Sequence, residues 1–166
     1  MILGEAAAVF LLSNNQENHI AKITGYGSAI EKLSSATSVS KDGKCLQQSM
    51  KQAIENMDPE SIDAIITHAP GTIKGDLAEM KAIKAVFGKK HPHICNNKWQ
   101  LGHALGASSA LNLSMAIEMI KSKSIFKIPY LEEAVVNPRE DVRVPKRILI
   151  NATGFGGNAV SLLIEK

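Results

Sequence analysis

Aromatic side chains are scarce: four Phe, two Tyr and one Trp, 4% of the 166 residues. That is too few to line a base-stacking surface. No sign of charge dominates either, with 19 Lys and Arg against 16 Asp and Glu and a net charge of +3. So mild a balance does not argue for nucleic acid as a partner. No apolar run approaches the ~18 residues of a membrane span. The opening Met1-Ile2-Leu3-Gly4-Glu5 lacks the charged head and long apolar stretch of a secretory leader. Cysteine is nearly absent. Cys45 and Cys95 alone make neither a disulfide framework nor a zinc site. The expectations are therefore no nucleic acid, no membrane, no metal and a reducing, cytoplasmic setting.

What is present suits one soluble domain. Apolar residues make up 45% and charged residues 21%, enough to build a core without covalent staples. Ala6 to Leu12 is a continuous apolar run that reads as a buried strand, and a start so close to a strand suggests that something precedes this chain. His19 to Gly27 reads as a second strand, with Gly25 and Gly27 as its breakers. Ser34 to Gly43 reads as a loop. Leu46, Met50, Ala53, Ile54 and Met57 follow helical spacing, and Asp58-Pro59 stops that helix. Ile62 to Thr67 reads as a strand, Asp76 to Phe87 as a helix ended by Gly88, and His93 to Cys95 as a short strand. Ala104 to Ile120 carries Glu118 as its only charge. A helix so apolar is expected to lie inside the protein. A charged loop over Pro129 to Pro145 precedes two last strands, Arg147 to Asn151 and Ala159 to Ile164. Strands alternating with helices and ending in a strand pair form an α/β pattern.

Among five histidines, His19 reads as a surface residue. His91 and His93 flank Pro92 without a third ligand near them, a weak case for metal. His68 ends an apolar strand, where functional groups gather in open α/β sheets. His103 follows Gly102 at the head of the apolar helix, where a helix dipole favours the neutral ring. Taken singly, each is more simply a hydrogen-bonded core histidine. Cys45 falls in the first turn of a predicted helix, but no motif surrounds it, and Cys95 reads as a buried core thiol.

The segments around these histidines belong together. They are His68-Ala69-Pro70-Gly71-Thr72-Ile73-Lys74-Gly75-Asp76, Lys98-Trp99-Gln100-Leu101-Gly102-His103, and Asn151-Ala152-Thr153-Gly154-Phe155-Gly156-Gly157-Asn158. Their order and spacing resemble the C-terminal half of the β-ketoacyl-[acyl carrier protein] synthases, the condensing enzymes of fatty-acid and polyketide synthesis. Gly4-Glu5-Ala6-Ala7-Ala8 also looks like that family's Gly-Glu-Gly-Ala-Gly strand.

The resemblance implies an α/β, thiolase-like fold, of which this chain is the C-terminal half, a mixed five-stranded sheet with helices on both faces. Residues 1–15 would hold the last strand of an N-terminal half and residues 16–166 the C-terminal domain. The apolar helix would press against a counterpart from the other half. The resemblance further implies that a cysteine of the N-terminal half holds the acyl chain, while His68 and His103 serve decarboxylation of a malonyl group. Lys98 would be the structural lysine, with Asp76, Glu79 and Asn112 supporting it. Thr72 would contact the pantetheine arm. Phe155, between Gly154, Gly156 and Gly157, would gate the acyl pocket. No cofactor is implied beyond the phosphopantetheine of an acyl carrier protein. Implied partners are that carrier protein, the chain's own N-terminal half and a second copy in a homodimer.

Two departures stand out. Pro70 occupies a position where the family carries a threonine that donates to the pantetheine arm. Asn112 stands where many members place a glutamate beside the lysine, so that Lys98 is expected to lean on Glu79 or Asp76. The resemblance allows an active condensing enzyme, a noncatalytic partner subunit of the chain-length-factor kind, or an interaction fragment. The isolated chain, lacking the nucleophile, is expected to be inactive.

Overall fold

The structure is a computed structural model that describes residues 1–15, 17–35, 38–132 and 143–166. Five strands form one mixed sheet: β1 (Lys22–Ile30), β2 (Ala64–Ile66), β3 (His93–Cys95), β4 (Arg147–Gly154) and β5 (Asn158–Glu165). Their spatial order is β1-β5-β4-β2-β3. The β1–β5 and β4–β5 pairs are antiparallel, and β2 runs parallel to both β3 and β4. Among the described residues four α-helices accompany them: α1 (Lys44–Ala53), α2 (Ile73–Phe87), α3 (Lys98–Leu101) and α4 (Ser108–Ser122).

The period-2 alternation of the strands decides which helix packs where. Ile65, Ile94, Leu149 and Leu163 point to one face, where they meet Leu46 and Met50 of α1 and Ala82 and Ile83 of α2. Their neighbours Ala64, Ile66, Cys95, Ile148, Ile150 and Ile164 point to the other, against Ala116, Met119 and Ile120 of α4. The short, apolar β2 is buried at all three positions, as a central parallel strand should be.

The first strand differs from the sequence expectation. It runs past Gly25 and Gly27, which lie inside β1. A Cβ at Gly25 would strike the carbonyl of Ala53, and one at Gly27 the carbonyl of Ser49. The glycines admit the backbone of α1 directly onto the strand, a role that a reading of glycine as breaker passes over. The segment from Ala6 to Leu12 is not a buried strand here. It has no strand partner among the described residues, and Val9 and Leu11 are each 97% exposed. Apolar character favours burial in a sheet only where a neighbouring strand supplies hydrogen bonds, and none lies alongside.

The apolar helix also departs from expectation. It does not lie fully inside. Ser108, Asn112, Ala116, Met119 and Ile120 are its buried positions, whereas Leu111, Leu113, Met115 and Ile117 are half-buried. It starts at Ser108, after a 3-10 turn over Leu105–Ala107. Helix α2 begins at Ile73, three residues earlier than the periodicity indicated, because Thr72 caps it: Thr72 Oγ1 accepts the N–H of Gly75 at 3.3 Å. Of the charged loop before β4, residues 133–142 lie outside the described residues. No helix among the described residues is long and apolar enough to cross a membrane.

Candidate active site

The parallel strand β2 ends at Ile66, and two residues later His68 emerges on the side of the sheet that α4 covers. His103 arrives there from the turn before α4. The two rings meet edge to face, with centroids 5.2 Å apart and an interplanar angle of 76°. His103 is buried. Its Nδ1 accepts the backbone N–H of Leu105 at 3.0 Å and lies 3.1 Å from Ser108 Oγ. An amide N–H can only donate, so Nδ1 must keep its lone pair and the ring proton sits on Nε2. Leu105 reaches this position in the left-handed region, at φ 48°. That conformation is costly for a residue with a branched side chain and is held by its surroundings.

Burial, with the charge of Lys98, favours the neutral form of both rings. Burial, the Lys98 charge and the neighbouring His103 together lower the pKa of His68 to about 3. Burial, then Lys98, lowers that of His103.

Glu79 fastens the turn that carries His68. Its Oε1 accepts the N–H of His68 at 3.0 Å and the side-chain amide of Asn151 at 3.1 Å, and its Oε2 accepts the N–H of Ala69 at 2.7 Å. Burial raises the carboxyl pKa, and these donors and Lys98 offset only part of the rise. Asn151 Oδ1 accepts in turn from Ser161 Oγ at 2.9 Å, and Ser161 meets Ser49 of α1 at 2.9 Å. A polar line thus runs through the core from α2 across β4 and β5 to α1. Asn96 makes a second brace: its Nδ2 donates to Thr67 Oγ1 at 3.1 Å, and its Oδ1 accepts the N–H of Lys98 at 2.7 Å.

Lys98 is buried, and its ammonium has no hydrogen-bond partner among the described residues. Among the described residues it makes no direct ion pair with Glu79 or Asp76. Glu79 is committed to its three donors, and Asp76 Oδ1 accepts the N–H groups of Gly71 and Thr72 at 3.2 Å each. Both carboxylates act on Lys98 at longer range, opposing the burial that lowers its pKa. Asn112 donates from Nδ2 to the carbonyl of Thr67 at 3.4 Å, while its Oδ1, like Lys98 Nζ, is buried without a partner. A cavity of about 500 Å³ opens beside this group, lined by Pro70, Asp76, Glu79, Lys98, Trp99 and Tyr130 among others; neither His68 nor His103 lines it.

The structure thus brings His68, His103, Lys98, Asp76, Glu79 and Asn112 into one neighbourhood. Thr72 sits at its edge, exposed. Phe155 projects from the β4–β5 turn, 79% exposed, and among the described residues it makes no ring contact with either imidazole. Gly154 ends β4, and Gly156 and Gly157 form the turn with φ of 86° and 77°. Sequence reasoning passed over Asn96, Leu105 and Ser108 and quoted Asn151 without a role. Polar residues set among apolar ones mark Asn96, Ser108 and Asn151, whereas nothing in the sequence marks Leu105.

Both cysteines are buried thiols. Burial pushes Cys45 to about 12, aided by its hydrogen bond to Glu31 at 3.2 Å, and burial alone does the same to Cys95. Among the described residues no group of three or more His, Cys, Asp or Glu could hold a metal ion.

Comparison with known proteins gives the family and the fold. The sequence pattern of the β-ketoacyl synthase C-terminal domain matches residues 20–131. The chain belongs to that family. It is 32% identical to 3-oxoacyl-[acyl-carrier-protein] synthase 1 of Haemophilus influenzae over 154 residues, covering 88% of this chain and 37% of that protein. The ishigamide ketosynthase/chain length factor is similar in structure, with a TM-score of 0.74 at 25% identity, over 89% of this chain and 38% of that one. A type II polyketide acyl-carrier protein in complex with its ketosynthase gives a TM-score of 0.73 at 21% identity, over 88% of this chain and 38% of the matched chain, a likeness of fold. The chain therefore spans well under half the length of the relatives it matches. The thiolase-like α/β fold expected for a C-terminal condensing-enzyme half is the one observed.

Proposed function

We propose that this chain supplies the decarboxylation half of a 3-oxoacyl-[acyl carrier protein] synthase active site, in fatty-acid or polyketide synthesis. The observation that carries this reading is the His68–His103 pair, 5.2 Å apart, with His103 fixed as the Nε2–H tautomer by Leu105. In the proposed reaction, a malonyl thioester on the phosphopantetheine of a carrier protein loses CO2. The electron pair of the broken C–C bond moves into an enolate, whose oxygen receives Nε2–H hydrogen bonds from the two imidazoles. The enolate carbon then attacks an acyl thioester held on a cysteine outside this chain, and the thiolate leaves. Donors aimed at a developing oxyanion are each worth ~3 kcal/mol of barrier. Two neutral rings can donate without first losing a proton.

The same reading assigns Thr72 to the pantetheine arm and Phe155, with its flanking glycines, to the mouth of the acyl pocket. It takes the carrier protein, an N-terminal half and a second copy of the complete protein as partners, requires no further cofactor, and places the reaction in the cytoplasm. Residues 6–12 and the half-covered side of α4 would then be closed by the N-terminal half. The chain alone is inactive under this reading. A noncatalytic, chain-length-factor-like subunit is the competing reading. Retention of both histidines speaks against it, since a subunit that only shapes a pocket needs no paired donors.

The test is separation of the two half-reactions in the complete protein. His68→Ala and His103→Ala should each abolish decarboxylation of the malonyl carrier substrate and leave acylation of the distant cysteine largely intact. Equal loss of both half-reactions would overturn the assignment.

A further inference from the structure

The segment Met1–Gly4 has no place in the five-stranded sheet, yet it is tied to the site. Ile2 O accepts the N–H of His103 at 2.8 Å, and the N–H of Gly4 donates to His103 O at 3.1 Å. Leu3 and His103 thereby form an isolated parallel bridge. The backbone of His103 thus has both its polar groups satisfied by this segment. The side chains take little part: Ile2 is 80% exposed and Leu3 64%.

The approach is too close for side chains. A Cβ at Gly4 would collide with the carbonyl oxygen of Leu101. A Cβ at Gly102 would stand 2.7 Å from the carbonyl oxygen of Leu3, and Gly102 has φ of 73° besides. Glycine on both sides is what allows the two backbones to touch. From the other side, the ring of His103 is gripped at Nδ1 by Leu105 N–H at 3.0 Å.

We propose that Met1–Gly4 is a positioning segment for His103, with Gly4 as its positioning residue: its two backbone hydrogen bonds fix where the Cα of His103 stands, so that the ring can meet both Leu105 and His68. Gly4 touches no substrate in this scheme and acts through His103, while Ile2 also lines the cavity beside Lys98. The inference rests on the reading of His103 as an oxyanion donor for its functional meaning. The positioning itself can be measured without turnover, so failure of either claim leaves the other testable.

The experiment is hydrogen exchange and histidine NMR on the full 166-residue chain and three variants. In Gly4→Ala the His103 amide should exchange at least tenfold faster than in the native chain, relative to the sheet amides of Ile65 and Ile150. The His103 ring, freed from its buried setting, should titrate at a higher pH. A chain lacking residues 1–4 should behave in the same way, since it loses both hydrogen bonds without any steric clash and leaves the sheet whole. Leu3→Ser should leave His103 at its native exchange rate, because only the backbone of Leu3 lies at the contact. If Gly4→Ala accelerates every amide alike, the truncated chain decides alone. Unchanged His103 exchange and titration in the truncated chain would overturn the proposal, as would a Leu3→Ser effect as large as that of Gly4→Ala.

Discussion

The carboxylate of Glu79 accepts the backbone N–H of His68 at 3.0 Å, and so a buried acid on α2 sets the height of the imidazole above the end of β2. The same carboxylate takes two further donors, from Ala69 and Asn151. Replacing it with an apolar group would strand three donors, the buried amide of Asn151 and the part-buried N–H groups of His68 and Ala69. Each unsatisfied buried donor costs ~1–3 kcal/mol. Glu79→Ala should therefore destabilise the chain by roughly 3 kcal/mol or more, and Glu79→Gln by less, because the amide oxygen can still accept on one side. Chemical denaturation of the two variants checks both the direction and the ranking.

Stability should fall as the pH drops below that of an ordinary histidine. His68 has its pKa lowered from 6.5 to about 3. Above the unfolded value both states are neutral and the group contributes nothing to the pH slope. Below it the unfolded chain binds a proton that the folded chain refuses. Between pH 6.5 and 4.5 this single group should remove on the order of 2–3 kcal/mol. Denaturation midpoints measured across that window should show the loss in the native chain and a much flatter profile in His68→Gln.

The isolated chain should form no acyl-enzyme. Both of its thiols are held near 12 by burial, and a thiol at that value offers a negligible thiolate fraction at neutral pH. Incubation with an acyl carrier substrate, followed by intact-protein mass spectrometry, should return the unmodified mass. A stable adduct on Cys45 or Cys95 would show that one of them is a nucleophile.

Lys98 should respond to a carboxylate at position 112. Its ammonium and the Oδ1 of Asn112 are both buried and unpartnered, and burial lowers its pKa. An added negative charge nearby favours the charged form. Asn112→Glu should therefore raise the Lys98 pKa, read by NMR of the side-chain amine, whereas Asn112→Leu should not. No rise in the glutamate variant would mean that the two side chains do not share one environment.

The chain should self-associate. Beyond the half-buried apolar flank of α4, Val9, Leu11, Tyr26 and Ile30 are all exposed, and each large apolar side chain left in water forgoes ~1.5–3 kcal/mol. Sedimentation velocity at micromolar concentration should show species heavier than 17.9 kDa. A single sharp monomer without affinity for hydrophobic dyes would contradict this.

Much of the fold could be read from the residues because its signals are local. The apolar triplet at β2 and the helical spacing of Leu46, Met50 and Ala53 mark buried elements wherever they occur. What escaped was decided by close approach between distant segments. Gly25 and Gly27 look like stops until α1 is seen lying on them. Ala6 to Leu12 looks buried because composition carries no information about whether a neighbour exists. At the site, the motifs located His68, His103 and Lys98, but the commitment of Glu79 to backbone donors, rather than to Lys98, depends on distances that no spacing encodes. Asn96 and Asn151, neutral and unremarkable in sequence, turn out to hold the scaffold together.

The shortness of β2 carries a consequence of its own. Three residues pair it to both neighbours, and Ala64, Ile65 and Ile66 already assign alternate side chains to opposite layers. His68 inherits its side of the sheet from that parity. One residue inserted after Ile66 would leave the paired residues of β2 unchanged, yet it would shift His68 away from the Glu79 carboxylate and from the ring of His103. The geometry of this site is thus counted in whole residues from a three-residue strand.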